Sequence, residues 1–289
     1  CISGNMQLTL ALLLAVIGAA SADDKRPALT QEMINEINGM KTTWKAGFNT
    51  KFHNAIVADV KMLLGTVMPG EAGYVEAPPH ATAAKPLLKD APIPESFDLR
   101  EAQPQCASIS GHVRDQSNCG SCWAFATTAV IESAVAKASG LLFDLSVQQM
   151  AMCAPNPDHC GGTGNCAGST AELGFDYIAK SGGMLEEYMY GYGAYYGTVT
   201  DCQLPAGPAK ATIGGYVQLP TNEMAPFMNA LATQGPVAIS VDASSWHAYS
   251  SGVYDGCNQS QPDIDHAVVA VGYGEDSNGK YWLVRNSWS

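Results

Sequence analysis

The chain has 289 residues, 46% of them hydrophobic and 15% charged, with a formal net charge of −12. That apolar content supports one or two real cores and excludes an intrinsically disordered segment as the whole. The acid surplus repels polyanions and argues against a nucleic-acid partner.

The acidity is unevenly placed. Residues 23–92 hold eight Lys or Arg against eight Asp or Glu, whereas residues 93–289 hold seven against nineteen. At the start, Met6 opens an apolar stretch that ends in Ala20-Ser21-Ala22. It is too short to cross a bilayer and has the small-residue end of a secretory signal, which predicts a signal peptide over 6–22 cleaved after Ala22. No Lys or Arg precedes the apolar run, a departure from the usual pattern, and residues 1–5 lie upstream of an initiator Met. No other segment is apolar for long enough to span a membrane.

From Leu29 to about Leu64 the pattern becomes short and partly amphipathic. Thr30 reads as an N-cap, with Met33, Ile34 and Ile37 at helical spacing, followed by Thr42-Thr43-Trp44-Lys45-Ala46-Gly47-Phe48-Asn49. Residues Met68 to Pro94 are rich in Pro, Ala and Gly, with Pro78-Pro79 among them, and predict an extended linker.

The chemistry begins at Gln116 and Cys119-Gly-Ser-Cys122-Trp123-Ala124. From Cys122 to Ala138 there is neither Pro nor Gly, and Phe125, Val130, Ile131 and Val135 supply apolar side chains, so a helix is predicted with Cys122 in its first turn. Unpaired N–H groups and the positive end of the helix dipole would lower the thiol pKa there and favour the nucleophilic thiolate. Read alone, the C-x-x-C pair also fits a dithiol redox motif. Farther on, Asp265-His266-Ala267 opens the β-branched run Val268-Val269-Ala270-Val271, which predicts a buried strand holding His266 at its start. A second apolar strand, Tyr281-Trp282-Leu283-Val284, leads into Arg285-Asn286-Ser287-Trp288. The amide oxygen of Asn286 can accept the imidazole N–H and fix the ring's tautomer, while an indole beside it keeps water off that bond. Among the other histidines, His247 follows Trp246, His159 sits among cysteines, and His112, His80 and His53 lie in polar surroundings, so His266 is the expected base and His247 its main competitor.

These four motifs, in this order, resemble the papain family of cysteine peptidases, the group that includes the cathepsins. The resemblance spans roughly Pro94 to Ser289. It implies Cys122 as nucleophile, His266 as base and then acid, Asn286 as its orienter, and Gln116 with the Cys122 backbone N–H as oxyanion hole. It further implies that Gly168 and Ser169 bind substrate backbone, Ser169 replacing a glycine, and that Asp265 and Trp288 border the substrate. The Trp44-Lys45-Ala46-Gly47 stretch resembles a cathepsin B-type propeptide, which implies a propeptide and linker over 23–92 that blocks the cleft, and a peptidase domain over 93–289. The helix-rich lobe would run from about 93 to 205. The implied fold class is α+β: a helical left lobe and a β-barrel-like right lobe, with the cleft between them.

Nine cysteines in such a compartment imply bridges. By resemblance, Cys119 pairs with Cys166 and Cys153 with Cys202. Cys257 would pair beyond Ser289, because relatives continue past Asn-Ser-Trp; Cys106 and Cys160 remain, and the resemblance leaves their partners open, a pairing with each other being one choice. Cys153, His159, Cys160 and Cys166 are irregularly spaced for zinc, so oxidation is favoured and no metal or cofactor is expected. Gly161-Gly162-Thr163-Gly164 lacks the residues of a phosphate loop and reads as a loop near the substrate groove. Asn258-Gln259-Ser260 is a glycosylation sequon. Between Gly183 and Cys202 there is no His pair of the kind that makes cathepsin B a dipeptide-removing exopeptidase; the run is Tyr-rich instead, and reads as interdomain packing. The expected function is a monomeric cysteine endopeptidase made as a zymogen in the secretory pathway, lysosomal, vacuolar or extracellular. Its partners would be protein or peptide substrates and its own propeptide. The alternatives are a catalytically inactive papain-like binding protein and a B-type exopeptidase.

Overall fold

A computed structural model of the chain describes residues 25–67, 92–102, 113–159 and 161–289. The expected signal peptide, most of the linker, Cys106 and Cys160 lie outside those residues.

The first unit begins with α1 (Gln31–Gly39), capped as the sequence predicts, with the Thr30 Oγ1 accepting from Met33 N at 3.2 Å. Strand β1 (Trp44–Ala46) follows, tied back to α1 by the Asn38 side chain, which both donates to Ala46 O and accepts from Ala46 N. A short helix α2 (Val57–Lys61) closes this unit. Next come β2 (Phe97–Asp98) and α3 (Leu99–Ala102).

The central helix α4 (Cys122–Ser139) matches its expected bounds and ends at Gly140, whose φ of 73° is the left-handed conformation that glycine adopts without a Cβ penalty. It is buried on nearly every side, which is why its sequence shows apolar residues all round. Around it pack α5 (Val147–Cys153) and α6 (Ala171–Ser181). The α4–α6 approach is close because Gly174 leaves room. A Cβ there would lie 2.8 Å from Thr127 Oγ1 and 2.9 Å from Met150 Sδ.

The sheet lobe contains α7 (Met224–Thr233), β3 (Val237–Val241), β4 (Tyr249–Gly252), β5 (His266–Asp276) and β6 (Gly279–Arg285). Strand β5 organises it. Residues Val269 and Ala270 pair with both β3 and β6, so those two strands take opposite edges of β5, and β2, paired at Gly272 and Tyr273, shares the β3 edge. The strand's two faces separate by the period of two: Ala267, Val269 and Val271 pack in the core with Trp123, Phe125 and Ala126 of α4. The other face gives Val268 to a cluster with Trp288, and Ala270 to one with Phe227 and Leu231 of α7.

Two expectations are corrected. The right lobe is an open four-stranded sheet without closure into a barrel among the described residues, because β5 alone supplies the pairing partner for β2, β3 and β6. In addition, Phe97 and Asp98, expected in the helical lobe, form a strand of the sheet lobe. No helix among the described residues is long and apolar enough to cross a membrane.

The first unit is seated on this body. Strand β1 pairs antiparallel with β4, Trp44 against Gly252, and Trp44 is buried with Leu29, Ile34 and Ala248. Phe52, Val60 and Leu63 join Val241, Val268 and Trp288 in a second shared cluster. Burying side chains of this size contributes about 1.5–3 kcal/mol each, so docking rests mainly on apolar contact.

Candidate active site

The N-terminus of α4 and the start of β5 meet at one sulfur. The backbone N–H of Ala267 donates to Cys122 Sγ at 3.4 Å, which puts the residue beside His266 directly on the thiol. His266 is fully buried. Its Nε2 lies 2.8 Å from Asn286 Oδ1, and that oxygen also accepts from Ser287 N at 2.8 Å. An atom taking a backbone N–H is the amide oxygen, so His266 donates from Nε2 and its Nδ1 carries the lone pair. Nδ1 is buried without a hydrogen-bond partner among the described residues. The Trp288 ring lies 4.8 Å from the imidazole, centroid to centroid, covering it as the sequence suggests.

Gln116 is equally buried and held from both ends. Its Oε1 accepts from Ser287 Oγ at 2.7 Å and from Trp288 Nε1 at 3.2 Å, which turns the Nε2 donor toward the cleft. Trp288, expected to border the substrate, thus orients both His266 and Gln116. His247, the competing base, lies in the turn at Trp246–Ala248, edge-on to Phe52 at 6.1 Å; burial lowers its pKa, and its Nδ1 is unpartnered too. Among the described residues no Asn side chain orients it as Asn286 orients His266.

The cleft is filled. Leu63 O accepts from Gln116 Nε2 at 2.9 Å, Gly65 O accepts from Ser169 N at 2.9 Å, and Thr66 N donates to Asp265 O at 3.1 Å. The Thr66 hydroxyl lies 3.8 Å from Cys122 Sγ, and the Gly65 N–H is also directed at it. A Cβ on Gly65 would fall 2.0 Å from Gly120 O, and one on Gly168 2.7 Å from Gly65 O. Only glycine lets the strap lie this deep. Farther along, Val67 N reaches Gly161 O at 3.4 Å, placing the glycine loop beside the same groove. The sequence did not single out Leu63, Gly65 or Thr66; the available signal was a glycine directly after the apolar pair Leu63-Leu64.

Electrostatics follow from this cover. Burial raises the Cys122 thiol, outweighing the hydrogen bonds from Ala267, Thr66 and Gly65, and burial lowers His266 to about 4. Both shifts favour the neutral forms. The thiolate expected from the helix dipole is therefore disfavoured in this covered state, because loss of water outweighs the dipole. Asp265 is pushed up to about 7, chiefly by burial, while its carboxylate accepts from Ala243 N at 2.9 Å.

Cys119 is bonded to Cys166 and Cys153 to Cys202, as the resemblance implied. These bridges take Cys153 and Cys166, two of the three sulfurs in the cluster Cys153, His159, Cys160 and Cys166. Cys257 is itself disulfide-bonded, so it needs no partner beyond Ser289; its partner lies outside the described residues. In the Tyr-rich run, Tyr192 packs edge-on against Phe125 and hydrogen-bonds Ser121, whereas Tyr188 and Tyr196 are exposed. Asn258 is part-buried in a loop, its Oδ1 accepting from Ser260 N and Oγ.

Residues 93–289 match the model of the papain family cysteine proteases, and residues 29–70 match that of the peptidase family C1 propeptide. The chain belongs to the papain family of cysteine proteases. It is 40% identical over 202 residues to mouse procathepsin L, covering 68% of this chain and 57% of that one. Digestive procathepsin L2 from the larval midgut of Tenebrio molitor superposes with a TM-score of 0.71 at 30% identity, over 89% of this chain and 80% of that one. Procathepsin B S9 from Trypanosoma congolense gives 0.71 at 25% identity, over 91% and 89%. The chain spans little more than half the length of the curated cathepsin L relatives it matches.

Proposed function

We propose that this protein is the zymogen of a cysteine endopeptidase of the secretory pathway, acting on protein or peptide substrates through Cys122, His266, Asn286 and Gln116. The observation that carries the proposal is the junction of α4 and β5, where the Cys122 sulfur sits under Ala267 N–H beside the His266–Asn286 pair. Once the cleft is open, Cys122 gives its proton to His266 Nδ1, and the thiolate attacks the scissile carbonyl carbon. Gln116 Nε2 and the Cys122 N–H stabilise the oxyanion. His266 then protonates the departing amine, leaving a thioester that water hydrolyses with His266 as base. Asn286 keeps the ring's proton on Nε2 throughout. Ser169 N and Asp265 O, which now hold Gly65 and Thr66, would hold the substrate backbone, and Gly168 keeps that wall low.

The segment 25–67 inhibits by presenting the wrong chemistry. It offers the sulfur an N–H and a hydroxyl in place of an electrophilic carbon, and uses the Leu63 carbonyl to occupy the Gln116 donor. With no occluding His pair between Gly183 and Cys202, the groove is open to long chains, and internal cutting is expected. Labelling with an epoxide of the E-64 type after propeptide removal tests the nucleophile: one adduct on Cys122, absent in Cys122→Ala, is expected. No adduct would favour the binding-protein alternative. Peptides with amidated C-termini test the rest, since an exopeptidase that needs a free carboxylate would leave them whole.

A further inference from the structure

The propeptide places one cation at the rim of the site. Lys51 Nζ forms an ion pair with Asp115 Oδ1, the residue directly before Gln116. The Asp115 carboxylate is held for this contact, because the same oxygen accepts from Ser117 N at 2.8 Å, Ser117 having a positive φ of 49°. The lysine's side chain is 16% exposed and that of the aspartate 33%, so the pair is partly sheltered from water.

The side of the cleft follows from the chemistry. His266 has to protonate the departing amine, so the leaving peptide lies on the side of the imidazole that Trp288 covers. Asp115 forms a backbone bridge with Trp288, and Phe52, next to Lys51, packs edge-on against the Trp288 ring at 5.5 Å. Gly168 and Ser169 hold Gly65, farther along the propeptide. Lys51 therefore occupies the leaving-group side. Its departure with the propeptide leaves an oriented carboxylate there, on a domain with nineteen Asp or Glu against seven Lys or Arg.

We propose that Asp115 selects a Lys or Arg side chain in the leaving portion of the substrate, at the first or second residue after the cut, in the place that Lys51 fills in the zymogen. This rests on the proteolytic reading above. A partly sheltered pair of this kind favours the cation roughly threefold to tenfold in kcat/KM over a neutral residue, and disfavours an acidic one.

The test uses the activated protein, first titrated with the epoxide, and internally quenched peptides identical except for Lys, Gln or Glu at those two positions. The expected order is Lys above Gln above Glu at one position. Asp115→Asn, which keeps an acceptor for Ser117 N, should flatten that order, and Asp115→Lys should invert it. Because only ratios between peptides are read, a general loss of activity in a variant does not imitate the result. A titratable enzyme indifferent to peptide charge, or one whose preference survives in Asp115→Asn, overturns the proposal alone. A wild-type protein that takes no epoxide overturns the proteolytic reading and this proposal with it.

Discussion

Gly65 decides how tightly the strap can lie. A methyl group there would sit 2.0 Å from Gly120 O, a backbone atom that cannot rotate away, so Gly65→Ala forces the strap outward. Overpacking of this kind costs about 1–3 kcal/mol, and the propeptide added in trans should inhibit roughly tenfold to a hundredfold less well. An unchanged inhibition constant would show that the strap does not bind as described. Asp265 and His266 give a second test, through opposite proton linkages. His266 titrates at about 4 when folded against an ordinary 6.5, so the folded state binds fewer protons and loses stability as pH falls from 6.5 toward 4. Asp265 titrates at about 7 against an ordinary 3.8, so the folded state binds more protons and loses stability as pH rises from 3.8 toward 7. The two oppose each other between 4 and 6.5, with Asp242 and Asp263 adding to the rise at Asp265. Asp265→Asn leaves the His266 effect uncompensated. The unfolding free energy of the zymogen variant, followed through its Tm, should then fall on acidification through that window by up to about 1.4 kcal/mol per pH unit, where the wild type stays nearly flat. Equal pH profiles for both proteins would refute this.

Among the elements, β1 is the anchor of the inhibitory unit. It is only three residues long, yet Trp44 is 4% exposed and packs on Tyr254 at 4.8 Å. Trp44→Ala removes a buried indole at a cost of about 3–5 kcal/mol, shared between the unit's own fold and its docking. The zymogen should mature at least tenfold faster at mildly acidic pH, followed by gel. Unaltered maturation would place the anchor elsewhere. The elements that the sequence made legible were those with one dominant signal: a Pro- and Gly-free run for α4, a Val-rich run for β5, and the Thr30 cap for α1. Strand β2 was missed because two residues hold no periodicity, and only the long edge of β5 makes Phe97 and Asp98 a strand. The proposed catalytic set could be read because each member has its own neighbours in sequence. Lys51–Asp115 and Leu63–Gln116 could not, since each joins residues more than fifty positions apart that have no pattern in common.

At the scale of the whole molecule, a neutral thiol and a neutral imidazole are enclosed together under a peptide cover. Iodoacetamide should therefore alkylate Cys122 slowly in the zymogen between pH 5 and 8. The rate should rise on the order of a hundredfold after the cover is removed, as water returns and the thiolate forms at the helix N-terminus. The modification rate by mass spectrometry before and after activation checks this; similar rates would mean the sulfur is reactive even when covered. The helix dipole was legible in the sequence and its neutralisation was not, because desolvation depends on a segment more than fifty residues earlier in the chain.

Three glycines meet where the strap crosses the groove: Gly65 from above, Gly120 and Gly168 from below. The groove floor is thus fitted to the chain's own peptide cover, whatever else it comes to hold. An engineer who reshapes Gly120 or Gly168 to admit bulkier diets will alter dormancy by the same stroke, so appetite and silence in this protein have to be redesigned as a pair.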